Sequence, residues 1–334
     1  MKLHCIPILS ALFTSLVCFS NPATKISDNS PSSGIVIRWN DCEQTIDGFG
    51  IAQAGWAKEL FAFKNRKQVM DKMFGNDGLR LNILRGEIFP HYWENKEDKD
   101  FNLNDDINIE LCDSDFNNKS DDLLRRGQLW LTLEAKNKYH INKLVFSTWS
   151  APAWMKSNGK VSNGKLKPEC YQDFANYLAA FYKAYKSKGI TPYAISPSNE
   201  PGYAAPWNSS LWTADEMGKF ITSNLGPTFQ KENIPAKIIF GENPLWSVVM
   251  PQLKMVSSKD FTDTILQDYP EIKKFNLIAA GHGYSLSPDI MPIKVDKEYL
   301  KTPIIPFDAA EKAHIPVWIT EISDVTPLDT SIQD

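Results

Sequence analysis

The sequence predicts an α/β fold in which parallel strands and crossover helices form a barrel. Short apolar or β-branched runs alternate with longer segments of helical periodicity along most of the chain, which indicates parallel strands. The chain has 334 residues, of which 43% are hydrophobic, so it is long enough for one barrel-sized core or two smaller ones. Neither a GxGxxG turn nor a GxxxxGK[ST] loop is present, which disfavours an open nucleotide-binding sheet.

Eight runs are predicted as strands, and four longer segments as helices. The strand runs are 34–39, 44–50, 79–85, 143–149, 192–196, 236–242, 277–284 and 316–321. The helical segments are 56–75, 123–139, 168–189 and 213–229. Gly75 is expected to cap the first helix, and Thr213 with Glu216 forms a capping-box pattern at the start of the last. The polar stretch 94–122 is too long for an ordinary barrel connection.

The N-terminal residues predict export. Lys2 precedes an apolar run over residues 6–19, and small residues follow, so residues 1–20 are predicted to be a cleavable signal peptide. A polar linker is expected over residues 21–33, which disfavours the alternative of a buried N-terminal helix. The protein is therefore expected to be secreted, periplasmic or at the cell surface. A lipid anchor on Cys18 is less favoured, because Val17 precedes it instead of a small residue.

Charge and cysteine content argue against a nucleic-acid partner, a zinc site and a disulfide framework. The formal net charge is −4, and no basic stretch is interleaved with aromatic residues, so nucleic acid is not expected as a partner. No cofactor is implied, and His and Cys residues do not cluster at zinc-ligand spacing. After signal cleavage only Cys42, Cys112 and Cys170 remain, so at most one disulfide is expected. No obligate protein partner is inferred.

Two glutamates at the ends of predicted barrel strands are candidate catalytic residues. Glu200 follows the fourth barrel strand and Glu321 ends the seventh. The carboxyl ends of barrel strands converge on one face, which is where barrel enzymes place catalytic groups. A charge beside a buried strand end is unfavourable unless it is paired, so an ion pair with Arg or Lys is the alternative for each glutamate. Two carboxylates facing one pocket suit glycoside hydrolysis, in which one is the proton donor and the other attacks or activates water. Other polar or aromatic residues after strand ends are Arg85, Trp149, Glu242, His282 and Tyr284.

Several motifs resemble those of glycoside hydrolase family 30, within a retaining clan of (β/α)8 TIM-barrel enzymes. They are QTIDGFG, LRLNILRGEI, FSTWSAPAWMKSNG, ISPSNEP, HGY and WITE, in the order and spacing of that family. The resemblance implies that Glu200 is the general acid/base, Glu321 is the nucleophile and Asn199 binds the sugar 2-hydroxyl. It also implies that Arg85, Trp149, His282 and Tyr284 line the subsite on the nonreducing side of the cleaved bond.

Three further residues near these motifs have less specific expected roles. Tyr203 is expected to line a leaving-group subsite, and Trp154 is either a sugar platform or part of the barrel rim. Glu242 could rival Glu200 as the acid, but we interpret it as a positioning or ion-paired residue, because this clan places its acid after strand four.

The resemblance also predicts an incomplete barrel. Family members continue after the nucleophile into an eighth strand and a β-sandwich side domain. Residues 34–44 resemble the strand that the family contributes to that sandwich, and residues 45–334 form a partial barrel domain. Residues 21–334 are expected to aggregate when expressed alone. The expected function is retaining hydrolysis of xylan, glucuronoxylan or a β-1,6-galactan-like polysaccharide; the alternatives are a glucosylceramidase-type enzyme and an inactive sugar-binding remnant.

Overall fold

The computed structural model of the protein describes residues 38–41, 45–53, 57–93, 95–97, 127–247, 256–284 and 305–322. The strands in these residues are β1 Gly50–Ala52, β2 Ile83–Ile88, β3 Lys143–Thr148, β4 Ala194–Ser196, β5 Lys237–Gly241, β6 Leu277–His282 and β7 Val317–Glu321. The helices are α1 Ala57–Ala62, α2 Arg66–Phe74, α3 Gly127–Tyr139, α4 Tyr171–Ser187, α5 Ala214–Phe220, α6 Gly226–Lys231, α7 Ser258–Asp268 and α8 Asp308–Lys312.

The seven strands form one parallel sheet whose order follows the chain from β1 to β7. Arg85 of β2 pairs with Ala52 of β1 on one side and with Val145 of β3 on the other. The pairing of β6 with β7 shifts register between Gly281 and His282. Parallel strands in chain order with helices between them form a nearly closed α/β barrel, which confirms the predicted fold class. In the described residues, β1 and β7 each pair along one edge only.

Side chains of the strands alternate between the barrel interior and the surrounding helices. Val145, Ala194, Ile239 and Ile278 form one cluster inside the barrel. Neighbouring residues such as Phe146 point outward and join the larger core with the helices. The alternation follows from the two-residue period of a strand. It places every second residue at the carboxyl ends of the strands in the barrel mouth.

The predicted helix over 168–189 is confirmed, and its apolar side is buried. A 3-10 turn over Pro168–Cys170 leads into α4. Phe174, Leu178, Phe181 and Tyr185 are all buried in the outer core. Burying these side chains against the sheet removes apolar surface from water at about 25 cal/mol per Å², which is the main force holding the helix to the barrel.

The helix predicted over 56–75 is instead two helices. Phe63 donates its N–H to Leu60 O at 3.1 Å, and Arg66 donates to Phe63 O at 3.0 Å, so tight turns interrupt the helical pattern between α1 and α2. Gly75 does follow the end of α2, but its backbone is extended, with φ −71° and ψ 161°. A Cβ at Gly75 would lie 2.4 Å from Asp71 O. Glycine is therefore required there for close backbone approach, and the expected cap at Gly75 is confirmed, with its N–H donating to Asp71 O.

The helix predicted over 213–229 has the expected start and an unexpected interior. Thr213 Oγ1 accepts from the Glu216 N–H at 3.1 Å, and Glu216 Oε2 accepts from the Thr213 N–H at 2.8 Å. The capping box is thus confirmed. A π-helical turn over Ile221–Leu225 joins α5 to α6. Pro227, which has no N–H to donate, is the second residue after that turn.

Several predictions fall outside the described residues. The predicted signal peptide, the linker over 21–33 and most of the stretch 94–122 belong to this group, and they stay predictions. Of the strand predicted over 34–44, only residues 38–41 are described; they form a turn in which Asp41 N–H donates to Arg38 O at 3.2 Å. Cys170 is a buried free thiol. Among the described helices, none has the length and apolar character needed to cross a bilayer.

Candidate active site

Arg85 contacts three polar side chains inside the barrel mouth. Its Nη1 donates to Glu321 Oε2 at 2.6 Å. Its Nη2 donates to Asn199 Oδ1 at 2.7 Å and to Glu242 Oε1 at 3.2 Å. Its Cζ also lies 4.7 Å from the centre of the Trp149 ring. Burial alone would lower the pKa of Arg85, but Glu242 and Glu321 outweigh burial and raise it, so the guanidinium stays charged.

Glu321 is the last residue of β7, and both of its carboxylate oxygens are hydrogen-bonded. Oε2 accepts from Arg85, and Oε1 accepts from the Tyr284 hydroxyl at 2.5 Å. Burial alone would raise the pKa of Glu321. The charge of Arg85, followed by His282 and the Tyr284 hydrogen bond, holds that pKa below its usual value. Glu321 is therefore an ionised carboxylate with a fixed orientation.

Glu200 lies just beyond β4 and faces His282. Its Oε1 lies 3.1 Å from His282 Nδ1, and the imidazole is fully buried. Its backbone N–H donates to Glu242 O at 3.0 Å, and the N–H of the preceding Asn199 donates to Thr148 O at 2.7 Å. In the described part of the chain, Glu200 forms no ion pair with arginine or lysine. The ion-pair alternative raised from the sequence thus applies to Glu321 and not to Glu200.

Glu242 is fully buried beneath these groups and supports them. It accepts hydrogen bonds from Arg85 and, at 2.8 Å, from Ser147 Oγ. Its Oε1 also lies 4.0 Å from His282 Nε2. Burial alone would raise the pKa of Glu242, but Arg85 and then His282 lower it. The structure therefore supports our interpretation of Glu242 as an ion-paired residue, because its carboxylate is already occupied by protein groups.

The backbone at the ends of β4 and β5 adopts left-handed conformations. Glu200 has φ 46° and Glu242 has φ 40°. For a residue with a Cβ, this conformation costs on the order of 1–2 kcal/mol. Gly241, with φ 108°, could not be replaced, because a Cβ there would lie 2.2 Å from Ala280 O. Asn243 Oδ1 accepts from the Gly202 N–H at 2.7 Å, which ties the two turns together.

Glu200 and Glu321 are close enough to act on one bond. One carboxylate oxygen of each and one ring nitrogen of His282 all lie within 4.8 Å of one another. That spacing excludes a carboxyl separation of about 9 Å, in the upper range for inverting glycosidases, and is compatible with the about 5–5.5 Å of retaining ones. The carboxylates of Glu200 and Glu321 and the imidazole of His282 are also ligand types that divalent transition metals bind.

The comparison with known protein families agrees with this geometry. Residues 46–274 match the model of the glycosyl hydrolase family 30 TIM-barrel domain, which is more than half of the chain. This chain belongs to glycoside hydrolase family 30.

Individual relatives of this family-30 chain carry different named activities. "Putative glucosylceramidase 3" from Caenorhabditis elegans is 30% identical over 251 residues, which is 72% of this chain and 45% of the relative. "Glucuronoxylanase XynC" from Bacillus subtilis is 30% identical over 169 residues, which is 49% of this chain and 35% of the relative. The chain thus spans less than half the length of these two curated relatives. A solved endo-β1,6-glucanase has the same fold, with a TM-score of 0.64 and 21% identity over 86% of this chain and 59% of its own.

Three aromatic residues predicted for the family-30 site have different surroundings. Trp149 lies beside Arg85, whose guanidinium covers one face of its ring. Tyr203 donates its N–H to Glu200 O at 2.9 Å, and its ring meets Trp207 edge-on at 6.1 Å. Trp154 donates Nε1 to Trp93 O at 3.1 Å and packs against the outer core. The barrel-rim interpretation therefore describes the contacts of Trp154 best.

Sequence reasoning missed two polar residues of the family-30 barrel mouth. Ser147 lies in β3 and donates to Glu242. Glu87 lies in β2, two residues beyond Arg85, and is buried. The signal that could have found both is the two-residue period of a strand, since each lies two positions from a residue already selected, Trp149 or Arg85.

Proposed function

We propose that this chain hydrolyses a β-linked polysaccharide by double displacement, with Glu321 as nucleophile and Glu200 as general acid/base. The observation that carries the proposal is the ionised Glu321 carboxylate, fixed by Arg85 and Tyr284, with an oxygen of Glu200 within 4.8 Å. A charge-paired carboxylate suits nucleophilic attack, and a second carboxyl group at short range suits proton transfer to the leaving oxygen.

In the first step, a carboxylate oxygen of Glu321 forms a bond to the anomeric carbon while the bond to the leaving oxygen breaks. Glu200 transfers its proton to that oxygen, so the leaving sugar departs as a neutral alcohol. The product of this step is a glycosyl ester on Glu321. Asn199, fixed by Arg85, is proposed to hydrogen-bond the sugar 2-hydroxyl.

In the second step, Glu200 accepts a proton from water, and the water oxygen attacks the anomeric carbon as the ester bond breaks. The carboxylate of Glu321 is restored. Arg85 and Tyr284 favour this departure, because their hydrogen bonds to a carboxylate are stronger than those to an ester. Two displacements at one carbon give retention of configuration.

The relatives support more than one substrate class. The glucuronoxylanase relative supports the expected xylan or glucuronoxylan, with β-1,6-galactan as a related candidate. The glucosylceramidase relative favours a lipid-linked glucoside as the second candidate. An inactive sugar-binding remnant is disfavoured, because the hydrogen-bonded set of Arg85, Glu321 and Tyr284 is complete. Secretion through the N-terminal leader is part of the proposal, and N-terminal sequencing of the exported protein tests it.

Two substitutions test the assigned roles. Glu321→Gln is expected to abolish turnover, because an amide cannot form the ester. Glu200→Ala is expected to keep the first step on aryl glycosides with a good leaving group and to regain rate with azide, which needs no general base. Glu134→Gln, at a partly exposed position of α3 far along the chain from both glutamates, is the control. Stereochemistry is followed by NMR of the product.

Azide rescue of Glu321→Gln instead of Glu200→Ala would reverse the assignment. The substrate is identified with the same protein on xylan, glucuronoxylan, β-1,6-galactan, β-1,6-glucan and glucosylceramide. Activity on none of them, with the protein folded, would contradict the proposed hydrolysis and support the sugar-binding alternative.

A further inference from the structure

Glu87 points into the barrel mouth from the same face of β2 as Arg85. Gly86 between them faces outward, since a Cβ there would meet Gln53 Nε2 at 2.8 Å and Phe146 Cδ1 at 2.9 Å. Because strand side chains alternate, Arg85 and Glu87 both face inward. Two residues of strand advance the chain by about 6.6 Å, so Glu87 lies nearer the mouth than Arg85.

The carboxyl group of Glu87 is buried and incompletely hydrogen-bonded. The residue is 9% exposed, and its Oε1 has no hydrogen-bond partner among the described residues. Asn208 hydrogen-bonds the carboxyl group. Among the described residues, Arg85 is the charged group that acts on it, and Arg85 is already bonded to Glu242 and Glu321. Burial raises the pKa of Glu87 to about 8, against the opposing effects of Arg85 and Asn208. The group is therefore mostly a neutral carboxylic acid at pH 7.

The side chain of Glu87 is not needed to hold its own backbone. Gln128 of α3 accepts from the Glu87 N–H at 2.7 Å and donates to Glu87 O at 2.8 Å. Any residue except proline at this position would make the same two bonds. A buried polar oxygen without a partner is unfavourable for folding, whereas an apolar side chain of similar volume would not carry that penalty. The Asn208 hydrogen bond thus leaves the buried Oε1 of Glu87 without a structural explanation.

We propose that Glu87 is a further substrate-binding residue, whose carboxyl group hydrogen-bonds a hydroxyl of an uncharged sugar ring between Arg85 and the barrel mouth. The inference rests on the proposed function. A carboxylic acid both donates and accepts, as a sugar hydroxyl does, so each satisfies the other. A uronate ring at the same place would put a second acidic group against a buried carboxyl, which is unfavourable. The ring bound at Glu87 is therefore neutral.

Binding is measured in the Glu321→Gln background, in which the substrate is not turned over. Glu87→Leu removes hydrogen bonding at similar volume, Glu87→Gln keeps a donor and an acceptor, and Glu134→Leu is the surface control. The probes are xylohexaose, a β-1,6-linked glucohexaose and a glucuronate-substituted xylotetraose, titrated by calorimetry. For the neutral probe that binds best, Glu87→Leu is expected to weaken binding about tenfold and Glu87→Gln less than about threefold. Glu87→Leu is also expected to leave the melting temperature unchanged or raise it.

Unchanged affinity of Glu87→Leu for every probe would overturn the inference. So would a melting temperature lowered by more than about 5 °C or a failure to fold, because Glu87 would then have a structural role. Tightest binding of the glucuronate-substituted probe would contradict the neutral ring. Binding to none of the probes would overturn the inference together with the proposed function. Turnover by the unsubstituted protein distinguishes failure of the inference from failure of the proposed function. If probe binding depends on Glu87 but the unsubstituted protein hydrolyses no substrate, the hydrolase proposal is refuted and Glu87 remains a sugar-binding residue.

Discussion

Glu200 and Glu321 are held by different kinds of contact. Glu200 is fixed mainly through its backbone, by the hydrogen bond to Glu242 O and by its left-handed turn, and its side chain meets a buried imidazole. Glu321 is fixed through its side chain, by the charge of Arg85 and the Tyr284 hydroxyl. The difference fits the proposed roles, because a nucleophile needs a stabilised charge, whereas an acid/base must exchange a proton and therefore needs a fixed place without an arginine or lysine beside it.

The strands that carry the two glutamates also differ in how many neighbouring strands they pair with. β4 pairs on both sides, with β3 and β5. In the described residues, β7 pairs with β6 alone, and Ile319 is 47% exposed. Arg85, which reaches Glu321 from β2, adds a side-chain anchor to the backbone pairing of Glu321 with β6. Substitutions that remove side-chain anchors should affect Glu321 and leave Glu200 in place.

Arg85→Met is expected to have the largest effect. It leaves the buried Glu242 and the partly buried Glu321 without their common cation, and breaking a buried ion pair from one side costs about 3–5 kcal/mol of unfolding free energy. Activity should be lost as well. Arg85→Lys keeps the charge but not the forked geometry, so it should be intermediate in both respects. Urea denaturation provides the free energies, and a Met variant as stable as the parent would show that Arg85 does not organise the site.

Glu242→Gln is expected to have a smaller effect, with a distinctive pH dependence. At pH 7 the loss should be about 1–3 kcal/mol, because a buried charge-assisted hydrogen bond is weakened. The pKa values of Glu242 and Glu321 lie below the usual 4.5 in the folded protein. A carboxyl group with a lowered folded pKa stabilises the protein above its unfolded pKa, and that stability is lost as the pH falls through the folded value.

The parent protein should therefore lose stability as the pH falls below about 4.5, and Glu242→Gln should lose less of it over the same interval. Urea denaturation between pH 7 and pH 3 measures both. An identical pH dependence in the two proteins would show that Glu242 does not titrate with folding.

Tyr284→Phe is expected to have the smallest effect on stability, below about 1 kcal/mol, and a clear effect on catalysis. The variant loses the 2.5 Å hydrogen bond to Glu321, so the pKa of Glu321 should rise toward its usual value. The acidic limb of the kcat/KM profile should move to higher pH, and kcat/KM at neutral pH should fall about 10- to 100-fold. Tyr139→Phe is a matched control, since its hydroxyl donates to Asp71 in the α2–α3 region. Equal pH profiles in parent and variant would show that Tyr284 does not affect the pKa of the nucleophile.

Much of the barrel could be predicted from the sequence because strand ends and helix starts have local signals. Apolar runs placed Glu200 after the fourth strand and Glu321 at the end of the seventh, and both positions are confirmed. The capping box at Thr213 depends on residues three apart and was equally readable. The convergence of these glutamates then follows from barrel closure.

What could not be predicted depends on register and on backbone geometry. The bonds from Arg85 to Glu242 and from Ser147 to Glu242 join β2, β3 and the end of β5, so they exist only once three strands are aligned. The break between α1 and α2 lacks a glycine or proline to indicate it. The left-handed Glu200 donates its N–H to Glu242 O in a distant turn, and local propensity favours other residues at such a backbone conformation.

The positive φ of Glu200 and Glu242 affects which substitutions at these positions would be favourable. Asparagine and glycine adopt positive φ at lower free energy than glutamate does, so replacing Glu200 or Glu242 by either would relieve backbone strain. At Glu242 that relief is opposed by the loss of the buried ion pair with Arg85, so a lineage released from selection for catalysis would gain stability from the change at Glu200 alone. Glutamate at position 200, where the backbone favours other residues, is the residue expected if chemistry restricts which side chains function there.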